Sequence, residues 1–195
     1  CSNDLSPIKY CSNIDPIFQL FWGKVNIEYA TACFNFIKGE KAQKIIHEFK
    51  YKGNKKLALN TGINMGKLCK NNNNFSDIDA ITFVPSTKRK TRSRGYNQSL
   101  ELCKGVSLEL KLPVVSLLDK KKEKGSQTDK NVLERHIHLE KSYVLRKNYE
   151  KHNFTHLLIV DDVITTGATL SACAAVILEK LKVKISVLTF AYRDI

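Results

Sequence analysis

The sequence has one Met, one Trp and four Pro in 195 residues, and it is short of acidic side chains. No stretch approaches the ~20 consecutive apolar residues of a membrane-spanning helix, so no membrane insertion is expected. The N-terminus lacks the basic-then-apolar layout of a secretory signal, and the expected address is cytoplasmic. The cysteines, Cys1, Cys11, Cys33, Cys69, Cys103 and Cys173, show no C-x-x-C spacing, so no zinc knuckle or redox pair is written into the chain. Without export they are expected as free thiols, with Cys173 as plain helix core. The chain opens on Cys1 rather than Met, as a fragment would. A P-loop is missing as well. Gly62-Ile63-Asn64-Met65-Gly66-Lys67-Leu68 is one residue short of Walker A and lacks its Ser/Thr.

What is present is a globular composition, 43% hydrophobic and 26% charged, with enough aliphatic residues to exclude wholesale disorder. A chain of this length buries roughly 70% of the surface its unfolded form exposes. Lys and Arg number 32 against 19 Asp and Glu, a net charge of +13, which points to anionic partners. The charge is concentrated. Lys88, Arg89, Lys90, Arg92 and Arg94 form one cluster and Lys120, Lys121, Lys122 and Lys124 a second. Both lie outside the apolar segments and read as loops or loop edges able to grip phosphate.

Along the chain, residues 1–24 read as irregular, with Phe18, Leu20, Phe21 and Trp22 as buried anchors. Ile27 to Ile37 reads as a strand and Glu40 to Tyr51 as a helix closed by Gly53. The apolar stripe of that helix fits a core face better than a membrane surface. Lys55 to Cys69 is a weaker helix, Ile78 to Val84 a strand, and Asn97 to Leu110 a helix. Asp119 to Leu139 is polar, and Ser142 to Arg146 a short strand. Leu157 to Val160 is a buried strand, Thr169 to Leu181 a helix, and Val183 to Tyr192 a last strand. Strands alternating with helices predict an α/β fold with a parallel-rich sheet flanked by helices.

The chemistry is concentrated in Leu157-Leu158-Ile159-Val160-Asp161-Asp162-Val163-Ile164-Thr165-Thr166-Gly167-Ala168-Thr169. A buried strand would carry two adjacent carboxylates to its C-terminal end, where open α/β sheets bind ligands. A Thr- and Gly-rich turn then opens a helix, whose free N–H groups and dipole favour an anion. Gly167 would let the backbone approach a phosphate, while Thr165, Thr166 and Thr169 add donors. Carboxylates beside an anion site make sense if they accept hydrogen bonds from sugar hydroxyls and help hold hydrated Mg²⁺. The expected ligand is a ribose bearing a terminal phosphate. The plainer reading is an Asp pair capping the next helix. An Asp pair of a receiver-like domain would close an early strand, whereas this one lies near the chain's end.

The segment resembles the phosphoribosyl pyrophosphate (PRPP) motif of type I phosphoribosyltransferases. That resemblance implies ribose contacts from Asp161 and Asp162 and a 5′-phosphate site over Thr165, Thr166, Gly167, Ala168 and Thr169. More of the chain is similar to the ComF family of competence-related proteins, over about residues 25–192. Val84-Pro85-Ser86-Thr87-Lys88 matches that family's pyrophosphate-loop position, and Arg94-Gly95-Tyr96-Asn97-Gln98 its R-G-F/Y-N-Q signature. Gln127, Arg135 and Tyr143 follow its mobile-loop pattern, although His138 stands where Asn is common. Phe49-Lys50-Tyr51-Lys52-Gly53 is similar to its segment before the core.

The resemblance divides the chain into a remnant of a cysteine-rich module, 1–24, and a phosphoribosyltransferase-like domain, 25–195. It implies PRPP with Mg²⁺ as ligand, and Lys88 and Arg89 with the Asp pair as catalytic groups. Pro85, Ser86, Thr87 and Lys88 would form the pyrophosphate loop. Asp119 to Leu139 would close as a lid. No protein side chain is singled out as a direct metal ligand. A link to DNA uptake adds single-stranded DNA and a competence helicase as partners, with Arg92, Arg94, Lys121 and Lys122 as anion contacts. Single-strand grooves pair cations with stacking aromatics, and only Tyr96 lies within the first cluster. The acceptor is left open: a nucleobase, an amine, or none.

Overall fold

The computed structural model describes residues 16–36, 41–121, 142–147, 149 and 153–194. Expectations for Cys1, Cys11, Lys122, Lys124, Gln127, Arg135 and His138 lie outside the described residues. Four strands form one parallel sheet: β1 (Tyr29–Asn35), β2 (Ala80–Phe83), β5 (His156–Ile164) and β6 (Lys184–Tyr192). Their spatial order is β1-β6-β5-β2. A small antiparallel pair, β3 (Leu118–Lys120) and β4 (Tyr143–Leu145), stands apart from it. The helices are α1 (Pro16–Gln19), α2 (Lys41–Tyr51), α3 (Lys55–Lys70), α4 (Lys88–Arg94), α5 (Gln98–Leu110) and α6 (Ala168–Leu178). No helix among the described residues is long and apolar enough to cross a membrane.

The two faces of the sheet bury separate cores, because alternate residues of a strand point to opposite sides. On β5, Leu157 and Ile159 join Leu170, Cys173 and Ile177 of α6, together with Ile17 and Phe21. Leu158 and Val160 join Phe49 of α2, Met65 of α3, and Leu102 and Val106 of α5. The connection leaving β2 therefore runs through α5 on one face, and that leaving β5 through α6 on the other. A crevice opens between neighbouring strands where their connections part in this way. Here it lies between the C-terminal ends of β2 and β5.

Helices α3 and α5 meet backbone to backbone. A Cβ on Gly62 would stand 2.1 Å from the Leu102 carbonyl oxygen, and one on Gly105 would stand 2.2 Å from that of Leu59. The glycines that resembled a degenerate phosphate loop are packing residues.

Three expectations need correction. The cluster Lys88–Arg94 is a seven-residue helix, not a loop. It buries none of its residues, so no apolar period announced it. Thr87 caps its start by accepting from the Lys90 N–H, and Gly95, in the left-handed region at φ 80°, ends it. Trp22 is 57% exposed, because Ile17 and Phe21 fill the space beside α6 instead. Strand β5 runs on to Ile164, so the acidic pair lies inside the strand and not beyond it.

Candidate ligand-binding cleft

Strand β5 brings Asp161 and Asp162 to the crevice, and each acquires a partner from another element. The Ser99 hydroxyl, in the first turn of α5, donates to Asp161 Oδ1 at 2.6 Å. The Asp162 N–H donates to the same oxygen at 2.9 Å. From α2, Lys50 Nζ stands 2.7 Å from Asp162 Oδ2, with both side chains largely shielded. Burial, and then the neighbouring Asp162 charge, push Asp161 from the usual carboxyl value of 3.8 up to about 7. The Ser99 bond, the Asp162 N–H and Lys50 pull the other way and do not cancel it.

The crevice holds a cleft of about 190 Å³. The acidic pair and Thr169 form one side, Pro85, Ser86 and Thr87 from the turn after β2 another, and Lys50, Lys90, Arg94 and Lys120 bring positive charge. Inside it, Gln98 is 2% exposed; its carbonyl accepts from Arg94 at 3.0 Å, while its buried amide nitrogen has no partner among the described residues. A buried donor left unpaired costs about 1–3 kcal/mol, and a ligand oxygen would relieve it. Asn97 holds the wall in place, donating to the Val84 carbonyl and capping α5 through the Ser99 N–H.

Beside this cleft a second cavity, about 390 Å³, is lined by Lys50, Tyr51, Thr87, Arg89, Lys90, Ser93, Arg94 and Lys120. Tyr51 is 68% exposed, and the Arg94 guanidinium lies 5.7 Å from its ring centre. The aromatic beside the cationic cluster is thus Tyr51. Tyr96 is instead buried, with its hydroxyl donating to the Phe49 carbonyl.

The sequence-predicted residues separate in space. Asp161, Asp162, Thr169, Pro85, Ser86 and Thr87 converge on the cleft, and Arg94 joins them. Arg89 lines only the adjoining cavity, while Lys88 and Arg92 are exposed and line neither. Lys90 occupies the place expected for Lys88. Thr165 borders a third cavity, and Thr166 is exposed. Gly167 does have a left-handed backbone, φ 73°, but its open side faces Leu20: a Cβ there would lie 3.2 Å from that residue's Cβ. Lys24 reinforces the turn, with its amine donating to the carbonyls of Leu20 at 2.8 Å and Thr166 at 3.0 Å. Lys121 is exposed at the end of β3. Sequence reasoning missed Lys50, Ser99 and Gln98 as lining groups, and it had Lys90 only as one cation of the phosphate-gripping cluster. Ser99 carries no signal of its own in the sequence, and Lys50 stands there only within the Phe49–Gly53 segment.

A second polar chain lies at the other end of the sheet. Asp77 Oδ1 is 2.9 Å from His156 Nδ1, and His156 Nε2 is 2.9 Å from Ser186 Oγ. Partial desolvation raises the Asp77 carboxyl, but the His156 bond and charge outweigh it and hold the group below its usual value. Ser186 is wholly buried and His156 2% exposed, so no substrate reaches this hydroxyl. The chain clamps the start of β5 to β6 and is not a nucleophile relay.

No family model and no curated protein matches the chain. Among solved structures it is similar to one described as the allosteric regulatory enzyme of purine biosynthesis, at 15% identity and a TM-score of 0.45. That likeness covers 74% of this chain and 29% of the other. It is also similar to the adenine phosphoribosyl transferase of Trypanosoma brucei, in complex with AMP, pyrophosphate and ribose-5-phosphate. There the identity is 12% and the TM-score 0.45, over 81% of this chain and 82% of the other.

Proposed function

We propose that the chain is a phosphoribosyltransferase-like protein that binds PRPP in the cleft between β2 and β5. One observation carries the reading: a carboxylate pair and the Thr169 helix start face Lys90, Arg94 and Lys120 across a space the size of a few ligand groups. Ribose hydroxyls donate to Asp161 and Asp162, the turn into α6 receives the 5′-phosphate, and the basic wall receives the pyrophosphate. In transfer, the bond from C1′ to the pyrophosphate oxygen breaks with its electron pair staying on oxygen, while the acceptor's lone pair bonds to C1′. Lys90 and Arg94 would meet the charge that gathers on the leaving group.

Among the described residues no group of three or more His, Cys, Asp or Glu converges as a metal site. Mg²⁺ needs no such group, since it keeps several waters and takes one or two carboxylates plus substrate phosphates. Asp161 and Asp162 fit that role through water. A bound Mg²⁺ would neutralise pyrophosphate charge.

Calorimetric titration of PRPP with Mg²⁺ tests the reading, with Asp161→Asn/Asp162→Asn as comparison. Saturable binding weakened at least about tenfold by the double change is the expected result. No heat from folded wild type defeats it.

A second reading rests on the adjoining cavity, where exposed Tyr51 stands among Arg89, Lys90 and Arg94. It follows the resemblance to ComF proteins and DNA uptake: single-stranded DNA would lay phosphates on the cations and a base on Tyr51. Tyr51→Ala weakening an oligothymidylate while leaving PRPP affinity intact would separate the two.

A further inference from the structure

The third cavity, about 390 Å³, lies on the other side of the acidic pair and has a different chemistry. The strand order explains its position. The pyrophosphate wall follows β2, at one side of β5, whereas this cavity opens beyond the ends of β1 and β6, at the opposite side. Phe36 follows β1 directly, Arg193 follows β6, and Val163 and Thr165 come from the end of β5. Lys50, the partner of Asp162, lines this cavity and the cleft alike. A displacement at C1′ needs its nucleophile across from its leaving group, so an acceptor must approach from this side.

The walls indicate what kind of acceptor fits. The Arg193 guanidinium lies 5.6 Å from the centre of the Phe36 ring, and the rings of His47 and Tyr51 stand 4.9 Å apart. Flat walls of this kind accept a flat ring. The charged side chains lining the cavity are Lys50 and Arg193, and among the described residues no carboxylate lines it. An ammonium-bearing acceptor would meet the Arg193 charge, with Lys50 already paired to Asp162, whereas an anionic group would meet a guanidinium able to bind it in two places. The volume lies within the range of small-molecule sites, about 300–1,000 Å³.

We propose that the cavity between Phe36, His47, Tyr51 and Arg193 is the acceptor subsite and takes a planar aromatic ring bearing an anionic group. The inference rests on the PRPP reading for its role, and on the cavity alone for its ligand class. Benzoate, nicotinate and phenyl phosphate are titrated by ligand-observed NMR against neutral benzamide and cationic benzylamine. The anionic rings are expected to bind at least about tenfold more tightly than either control, the worth of one charge-assisted hydrogen bond. Arg193→Gln should remove that preference and Arg193→Lys restore part of it, with PRPP affinity unchanged in both. Phe36→Leu should weaken anionic and neutral rings alike.

Equal binding of benzoate and benzamide, or an Arg193→Gln variant as good as wild type, overturns the proposal. If benzoate binds through Arg193 while PRPP does not bind at all, the transfer reading falls and the acceptor role falls with it. If PRPP binds and no anionic ring does, only this proposal falls.

Discussion

Asp161 shows how one side chain couples the site to pH. Held up to about 7, it keeps its proton in the folded protein over a range where the unfolded chain has lost it. The native state therefore binds more protons between the usual carboxyl value of 3.8 and about 7, and stability from this group falls as pH rises across that window. Asp161→Asn removes the effect while an amide oxygen still accepts from Ser99. Melting temperatures measured from pH 4 to pH 8 should show the Asn variant gaining on wild type up to neutrality and levelling off above it. A difference that does not change with pH would show that Asp161 is not raised. Ligand binding reads the same group in the other direction. Ribose hydroxyls need the carboxylate, so PRPP affinity in calorimetry should climb between pH 6 and pH 8, with a proton released to buffer. The four described cysteines carry no such coupling. Burial pushes the thiols of Cys33, Cys103 and Cys173 well up and that of Cys69 to about 12, so alkylating reagents should spare all of them in the native protein.

Among the elements, the contact of α3 with α5 sets the position of Ser99, and so the environment of Asp161. The clashing atoms at Gly105 belong to the α3 backbone, the Leu59 carbonyl at 2.2 Å and the Ile63 nitrogen at 2.6 Å, and neither can swing aside as a side chain would. Gly105→Ala should cost about 3 kcal/mol or more, lowering the melting temperature by roughly 5–10 °C. Leu108, on the same helix but 63% exposed, should tolerate Ala within about 0.5 kcal/mol. This scale also shows what sequence can convey. Strands β2, β5 and β6 and helices α2, α5 and α6 bury an apolar face or run, and that pattern is written locally. Helix α4 buries nothing and owes its existence to Thr87 and Gly95 at its ends, so its residues read as a charged loop. The acidic pair and the Thr-Gly turn were legible because they are contiguous. Lys50, Ser99 and Gln98 were not, since they reach the cleft from α2 and α5 only after the chain has folded.

For the whole molecule, the excess of +13 is not spread evenly around the cleft. Lys50, Lys90, Arg94 and Lys120 converge on it and on the adjoining cavity, concentrating positive potential there. Pyrophosphate affinity should therefore fall several-fold as salt rises from about 0.05 to 0.5 M. Arg94→Gln should flatten that dependence. Titrations at both salt levels decide it, and a salt-independent affinity would mean that the surrounding charge plays no part.

Leu20 and Lys24 lie in the stretch that sequence alone set apart as a remnant, yet Leu20 fills the open side of Gly167 and Lys24 ties down Thr166. For anyone shortening this protein, residue 25 is therefore the wrong place to cut. A version starting there would keep every side chain in the cleft and lose the brace beneath the turn from Thr165 to Gly167, a defect invisible in any inventory of lining residues.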